Sequence, residues 1–258
     1  MTQATRATGL SGSLVQVADG VYRISGGVTN FYLISEGGKY TVVDAGTPGD
    51  WALLERSLRE LDATPHDLDA VLLTHAHVDH VGFAERARAD VGAHVWIHQA
   101  DAEAARTGKL GWKNERSMFA YLFRGAFWQT MISLSGRGGV RMIPIKVVSS
   151  FADGEVIDVP GSPRAIHTPG HTPGSAAIAV EKRGALMTGD AMCTWNAFTG
   201  RLGPQIMPSG LNMNNAQALA SLDKLGAVST AVILPGHGDP WTEGVAEAIR
   251  RAKAAGTS

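Results

Sequence analysis

A single cysteine, Cys193, among 258 residues excludes an intrachain disulfide framework. An excess of either charge is also missing. With 23 Lys+Arg against 24 Asp+Glu, net −1, the chain as a whole has no electrostatic grip on nucleic acid. Long apolar runs are absent too. The nearest, residues 117–134, carries Arg124 and Gln129 and falls short of the ~20 apolar residues a membrane crossing needs. Residues 1–13 are polar, without the apolar stretch and cleavage-type flank of an export signal, so they read as a flexible leader. Together these absences point to a cytoplasmic protein with no membrane or nucleic-acid partner, a monomer or homodimer acting on a small molecule. What is present is a globular composition, 44% hydrophobic and 18% charged, which excludes whole-chain disorder.

Short β-branched runs alternate with helical patterns in two stretches of the chain, which predicts an α/β fold of two sheets covered by helices. In the first stretch, strands are expected at 14–17, 21–24, 30–35 and 40–44, divided by the turn pairs Asp19-Gly20, Gly26-Gly27 and Gly37-Gly38. A helix at 51–61 and a buried strand at 70–74 follow. The second stretch predicts strands at 155–159, 164–168, 176–180, 185–188 and 231–234, with helices at 214–225 and 243–254.

Residues 104–152 have a different texture. Eight basic residues stand there against one acid, Glu115, a net +7, while the rest of the chain carries −8. Trp112, Phe119, Tyr121, Phe123, Phe127 and Trp128 lie in the same stretch. One reading is a pair of helices with an aromatic core and a solvated basic face. The other is an insert that roofs a pocket for an anionic substrate, with Arg116, Arg124, Phe127 and Trp128 as its binding residues.

The chemistry concentrates in Thr74-His75-Ala76-His77-Val78-Asp79-His80, between a buried strand and a helical pattern. In an extended exit from a strand, His75 and His77 project to one side and reach one cation. Asp79 and His80 then turn toward a second cation, with Asp79 near any water held between the two. Further ligands stand at other strand-to-loop transitions: His171 in Thr168-Pro169-Gly170-His171, Asp190 closing Leu186-Met187-Thr188-Gly189-Asp190, and His237 in Leu234-Pro235-Gly236-His237.

These motifs, with Val42-Val43-Asp44-Ala45-Gly46, resemble those of the metallo-β-lactamase fold superfamily, glyoxalase II and lactonase-like branch, over about residues 15–241. The resemblance implies a four-layer αββα sandwich with the site at one edge between the sheets. It implies that His75, His77 and His171 hold one divalent metal, Asp79, His80 and His237 a second, and that Asp190 bridges them, with Asp44 supporting the His loop from behind. The metals would be zinc, with iron or manganese also suiting the donor set. His66, His94, His98 and His167 match no ligand position, and Cys193 reads as a small buried side chain.

Two metals sharing a solvent molecule make a hydroxide available at neutral pH, which predicts a hydrolase with Asp79 orienting the nucleophile or passing a proton to the leaving group. An ester, lactone, thioester or lactam is the expected bond. Only 21 residues follow His237, which weighs against hydroxyacylglutathione, because the glyoxalase II enzymes that the motifs resemble add a C-terminal helical domain for the glutathione portion. The alternatives are an iron-dependent persulfide dioxygenase-like oxidoreductase and a phosphodiesterase.

Overall fold

The computed structural model describes residues 14–258; the leader expected at 1–13 lies outside the described residues. The predicted meander is present as β1 (Leu14–Ala18), β2 (Val21–Gly26), β3 (Thr29–Glu36) and β4 (Lys39–Val43), all antiparallel. The chain continues through α1 (Trp51–Glu60), β5 (Leu68–Leu73), α2 (Ala84–Val91), β6 (His94–His98), α3 (Ala102–Thr107), α4 (Gly125–Gly136) and β7 (Ser149–Phe151). Strands β4 to β7 run parallel, with Val42 opposite Val71 and Val71 opposite Val95, and complete a seven-stranded sheet. A second sheet, ordered β13-β10-β9-β8, is built from β8 (Arg164–His167), β9 (Ala176–Val180), β10 (Ala185–Gly189) and β13 (Val232–Pro235). The hairpin β11 (Cys193–Trp195) and β12 (Leu202–Gln205), helix α5 (Asn215–Leu225) and helix α6 (Val245–Ala255) complete the fold.

Strand period two sorts the core into layers. In β3, Phe31 and Leu33 face the helices α1 to α3, whereas Tyr32 and Ile34 face the second sheet. In β5 the same split separates Val71 and Leu73 from Ala70 and Leu72. In β9, Ala176, Ile178 and Val180 meet the first sheet while Ala177 and Ala179 meet α5 and α6. Three apolar interfaces thus separate four layers, helix, sheet, sheet, helix, as the resemblance implied. Strands buried on both faces explain the continuous apolar runs read from sequence. Each fully buried Leu or Ile contributes about 1.5–3 kcal/mol. No helix of the described residues is long and apolar enough to cross a membrane.

One predicted strand is absent. Residues 155–159 make a single bridge, Val156 opposite Arg164, rather than a ladder. The stretch is turned at both ends by Gly154 (φ +79°) and Gly161 (φ +92°), and its apolar residues Ile157 and Val159 are spent as plugs between the sheets. Segment 104–152 begins inside α3 and ends one residue past β7, so its departure from the layers is confined to residues 108–148. Arg137 ties it down through a 2.6 Å pair with buried Asp50, and Thr130 Oγ1 donates to Ala197 O at 2.6 Å.

Candidate metal centre

Each metal-capable side chain stands just past the end of a strand. His75, His77, Asp79 and His80 follow β5, His171 follows β8, Asp190 follows β10 and His237 follows β13. These strands point the same way within their sheets, so their carboxyl ends share one edge. The seven side chains meet there in three overlapping groups: His75, His77 and His171; His75, His80 and Asp190; Asp79, His80 and His237.

In the first group the nitrogens lie 2.8 to 3.2 Å apart: His75 Nε2 to His77 Nδ1 3.1 Å, His171 Nε2 to His75 Nε2 3.2 Å and to His77 Nδ1 2.8 Å. A tetrahedral cation with metal–nitrogen distances of ~2.0–2.1 Å holds its ligands ~3.3 Å apart, so the cage fits one with little adjustment. Burial, followed by the neighbouring imidazole His77, pushes His171 down to about 3, and burial likewise takes His77 to about 4 and His75 well below the ordinary range. All three are neutral at pH 7, with lone pairs free to coordinate.

The other donors surround Asp190. Its Oδ2 lies 3.4 Å from both His171 Nε2 and His237 Nε2 and 3.9 Å from His75 Nε2, and its Oδ1 lies 3.4 Å from His80 Nε2. Asp79 Oδ2 is 3.5 Å from His237 Nε2 and 3.8 Å from His80 Nε2. Two buried atoms here, His80 Nε2 and Asp190 Oδ1, have no hydrogen-bond partner among the described residues. Orphaned polar atoms of this kind are costly unless something satisfies them, and a cation between them does so. Burial opposes charge on both groups. It is outweighed at His80, whose pKa the carboxylates of Asp190, Asp44 and Asp79 raise, and at Asp190, which His237 and His80 hold well below the usual carboxylate range. The centre therefore attracts positive charge.

Partners behind these side chains fix which ring nitrogen faces inward. Asp44 Oδ2 is 2.8 Å from His80 Nδ1, and its Oδ1 accepts from Thr74 N at 2.8 Å. Asp44 adopts φ +63°, a left-handed conformation Asp tolerates better than most residues. Asn212 Oδ1 lies 3.0 Å from His171 Nδ1, Val28 O lies 2.7 Å from His237 Nδ1, and Thr29 Oγ1 donates to Asp79 Oδ2 at 3.0 Å. Gly236 leaves the space that Asp190 needs. A Cβ at that position would lie 2.5 Å from Asp190 Oδ1 and 2.8 Å from His80 Cε1.

A family model described as the metallo-beta-lactamase superfamily matches residues 24–237, which contain all seven of these side chains. The chain belongs to the metallo-beta-lactamase superfamily. The uncharacterized protein Rv2581c of Mycobacterium tuberculosis is 31% identical over 83% of this chain and 88% of its own length. The hydroxyacylglutathione hydrolase GloC of Haemophilus influenzae is 25% identical over 79% of this chain and 82% of its own. Among solved structures, a metallo-beta-lactamase family protein from Thermus thermophilus, TTHA1429, superposes with a TM-score of 0.67 at 26% identity, covering 92% of this chain and 79% of that one.

Within this superfamily frame, segment 108–148 roofs a cavity of about 630 Å³ that has His77, Asp79, Asp190 and His237 on its floor. The walls are mostly apolar, with Leu110, Met118, Met131, Leu134, Met142 and Phe198 among them. The residues named from sequence for substrate binding lie elsewhere. Arg116 and Arg124 are exposed and outside the cavity lining, Phe127 is buried in a satellite core with Tyr121 and Phe198, and Trp128 faces outward. The basic side chain that does reach the cavity is Arg141.

Sequence reasoning missed Asp101, which follows β6. Buried, it accepts from Ala76 N (2.9 Å), Thr172 Oγ1 (2.7 Å) and Gly174 N (2.7 Å), pinning the His75 loop to the His171 loop. Its place at a strand end was the available signal. Thr29 and Asn212 carried none, since their partners lie 50 and 41 residues away. His98 and His167 stack on each other outside the centre, with rings 3.9 Å apart, while His66 and His94 are exposed. Cys193 is buried, and burial pushes its thiol pKa well up.

Proposed function

We propose that the chain is a hydrolase working with two divalent metal ions, zinc in the first place, on small acyl compounds: esters, lactones or thioesters with an apolar acyl group. The observation that carries this reading is the position of Asp190 on the floor of an apolar cavity, its carboxylate 3.4 Å from His171 Nε2 on one side and 3.4 Å from the Nε2 atoms of His80 and His237 on the other. His75, His77 and His171 would hold one ion, Asp79, His80 and His237 the other. When bound, the pair polarises an acyl oxygen and acidifies a water. The chain's own residues do the rest. Asp79, anchored by Thr29, faces the cavity and is placed to orient the attacking water and pass its proton to the leaving group. Leu134, Met131 and Met142 exclude water around the acyl chain, each buried methylene adding about 0.8 kcal/mol to binding.

Chain length does not oppose a thioester. The Haemophilus influenzae hydroxyacylglutathione hydrolase aligns over 82% of its own length, so that relative has no large further domain. The test is metal analysis together with a panel of aryl esters of rising acyl length, lactones, thioesters and β-lactams. Two metal equivalents per chain and a specificity that rises with acyl length are expected. Undiminished turnover after exhaustive chelation, or a preference for the shortest acyl group, would overturn the reading.

A further inference from the structure

Helix α4 contains no charged residue in its twelve, and its apolar residues point in every direction. A helix apolar on all sides is normally covered on all sides. The inner side of α4 is: Phe127 and Thr130 are buried, and Met131 and Leu134 line the cavity. The outer side is bare. Trp128 is 51% and Ile132 70% exposed, one helical turn apart, and the preceding turn adds Phe119 at 77% and Phe123 at 100%. Trp128 Nε1 donates to Leu122 O at 2.8 Å, so the indole lies against the turn that carries Phe119 and Phe123.

We propose that this face is the core of a homodimer interface, covered by the same face of a second copy of the chain. At ~200 Å² per large side chain the four residues present roughly 600 Å². A stable interface needs about 800 Å² from each partner. The missing area is what a rim supplies. A monomer rarely leaves so large an apolar patch open. Composition selects the occupant. Interface cores are rich in aromatics and depleted of charge, which describes α4. A helix lying on an anionic membrane carries Lys and Arg along its polar face, and α4 has neither. An apolar face is self-complementary, as a two-fold interface requires. Arg116 and Arg124 flank it without an acidic partner among the described residues, and two-fold pairing brings like charges together at the rim. Dimerisation should therefore tighten, or stay constant, as salt screens them. The proposal stands apart from the reaction assigned to the centre.

Sedimentation velocity on the metal-loaded chain tests it. The expected result is a dimer at about 10 µM that persists as NaCl rises from about 50 to 500 mM. Phe123→Glu and Ile132→Glu should each raise the dimer dissociation constant by ~100-fold or more, because a two-fold interface counts each change twice. Phe123 is fully exposed, so its replacement leaves the folded core untouched, and unchanged metal content checks this. A wild-type chain still monomeric at about 50 µM, or a dimer indifferent to both substitutions, would overturn the proposal. So would a monomer that floats with phosphatidylglycerol vesicles and ceases to do so as Phe123→Glu.

Discussion

At the strand ends, four of the seven metal-capable side chains are clamped from behind: His80 by Asp44, His171 by Asn212, His237 by the carbonyl of Val28, Asp79 by Thr29. In the insert above them, Arg116 and Arg124 stand in solvent, and the side chains that reach the cavity are mostly apolar ones held by packing, with Arg141 the basic exception. Coordination chemistry demands donors within a few tenths of an ångström, and only rigid sheet ends with hydrogen-bonded supports provide that. Accommodation of an acyl group demands only shape and dryness, which a separately anchored helix provides.

Removing a ligand should break the rigid half outright. His77→Ala takes one of three nitrogens from a cage that has no spare, and its expected cost is several kcal/mol of transition-state stabilisation, roughly 10³-fold in turnover. Metal analysis should show loss of at least one equivalent. Full metal content with an unchanged rate would mean that His77 is not a ligand.

A support should cost less than a ligand. Asp101→Ala frees the buried donors Ala76 N and Gly174 N and unties the His75 loop from the His171 loop. The expected loss in metal affinity or turnover is ~10–100-fold, with a lowered unfolding midpoint. Wild-type metal affinity in that variant would show that the two loops hold their positions without it.

The stacked pair His98 and His167, outside the centre, gives a pH handle of intermediate size. Burial first, and His167 next, push His98 from its ordinary 6.5 down to about 4. Its native pKa is depressed, so the unfolded chain binds protons more readily, and the stability present above pH 6.5 is lost as pH falls toward 4. At pH 5 the loss is on the order of 2 kcal/mol. His98→Asn keeps an acceptor near Ala100 N and removes the titration. The difference in urea midpoint between the two proteins, measured at pH 7.5 and 5, should change accordingly; parallel midpoints at both values would mean that His98 titrates normally.

How much of this was legible follows from where the information sits. His75, His77, Asp79, His80, His171, Asp190 and His237 were readable because each stands directly after an apolar strand, so local pattern fixes its place. Asp101 obeys the same rule, but a lone acid at a strand end has many other uses, and its three partners lie 25 to 73 residues away. The 155–159 stretch has strand composition, yet register with a neighbour is a tertiary fact, and one bridge was all that the flanking turns allowed. The net +7 of segment 104–152 is a sum over all its faces. It could not tell Arg141, which reaches the cavity, from Arg116 and Arg124, which do not.

That last distinction yields the smallest and sharpest test. If the insert's charge acts only where it meets the cavity, Arg141→Ala should raise KM for acyl substrates bearing a carboxylate and leave neutral esters of equal length unchanged. Arg141 is exposed, so water and salt screen it, and its pairing with a substrate carboxylate should be worth ~0.2–1 kcal/mol, or about 1.4- to 5-fold in KM. Arg116→Ala and Arg124→Ala, exposed and outside the lining, should leave KM for both substrates within error at moderate salt, because water and salt screen charges that do not meet the substrate. The control lies in the salt dependence: raising NaCl should erase the Arg141 effect and touch nothing else. A KM effect at Arg116 equal to that at Arg141 would mean that the whole insert acts as one diffuse positive field, and the contrast between a geometric centre and a merely dry roof would have to be redrawn.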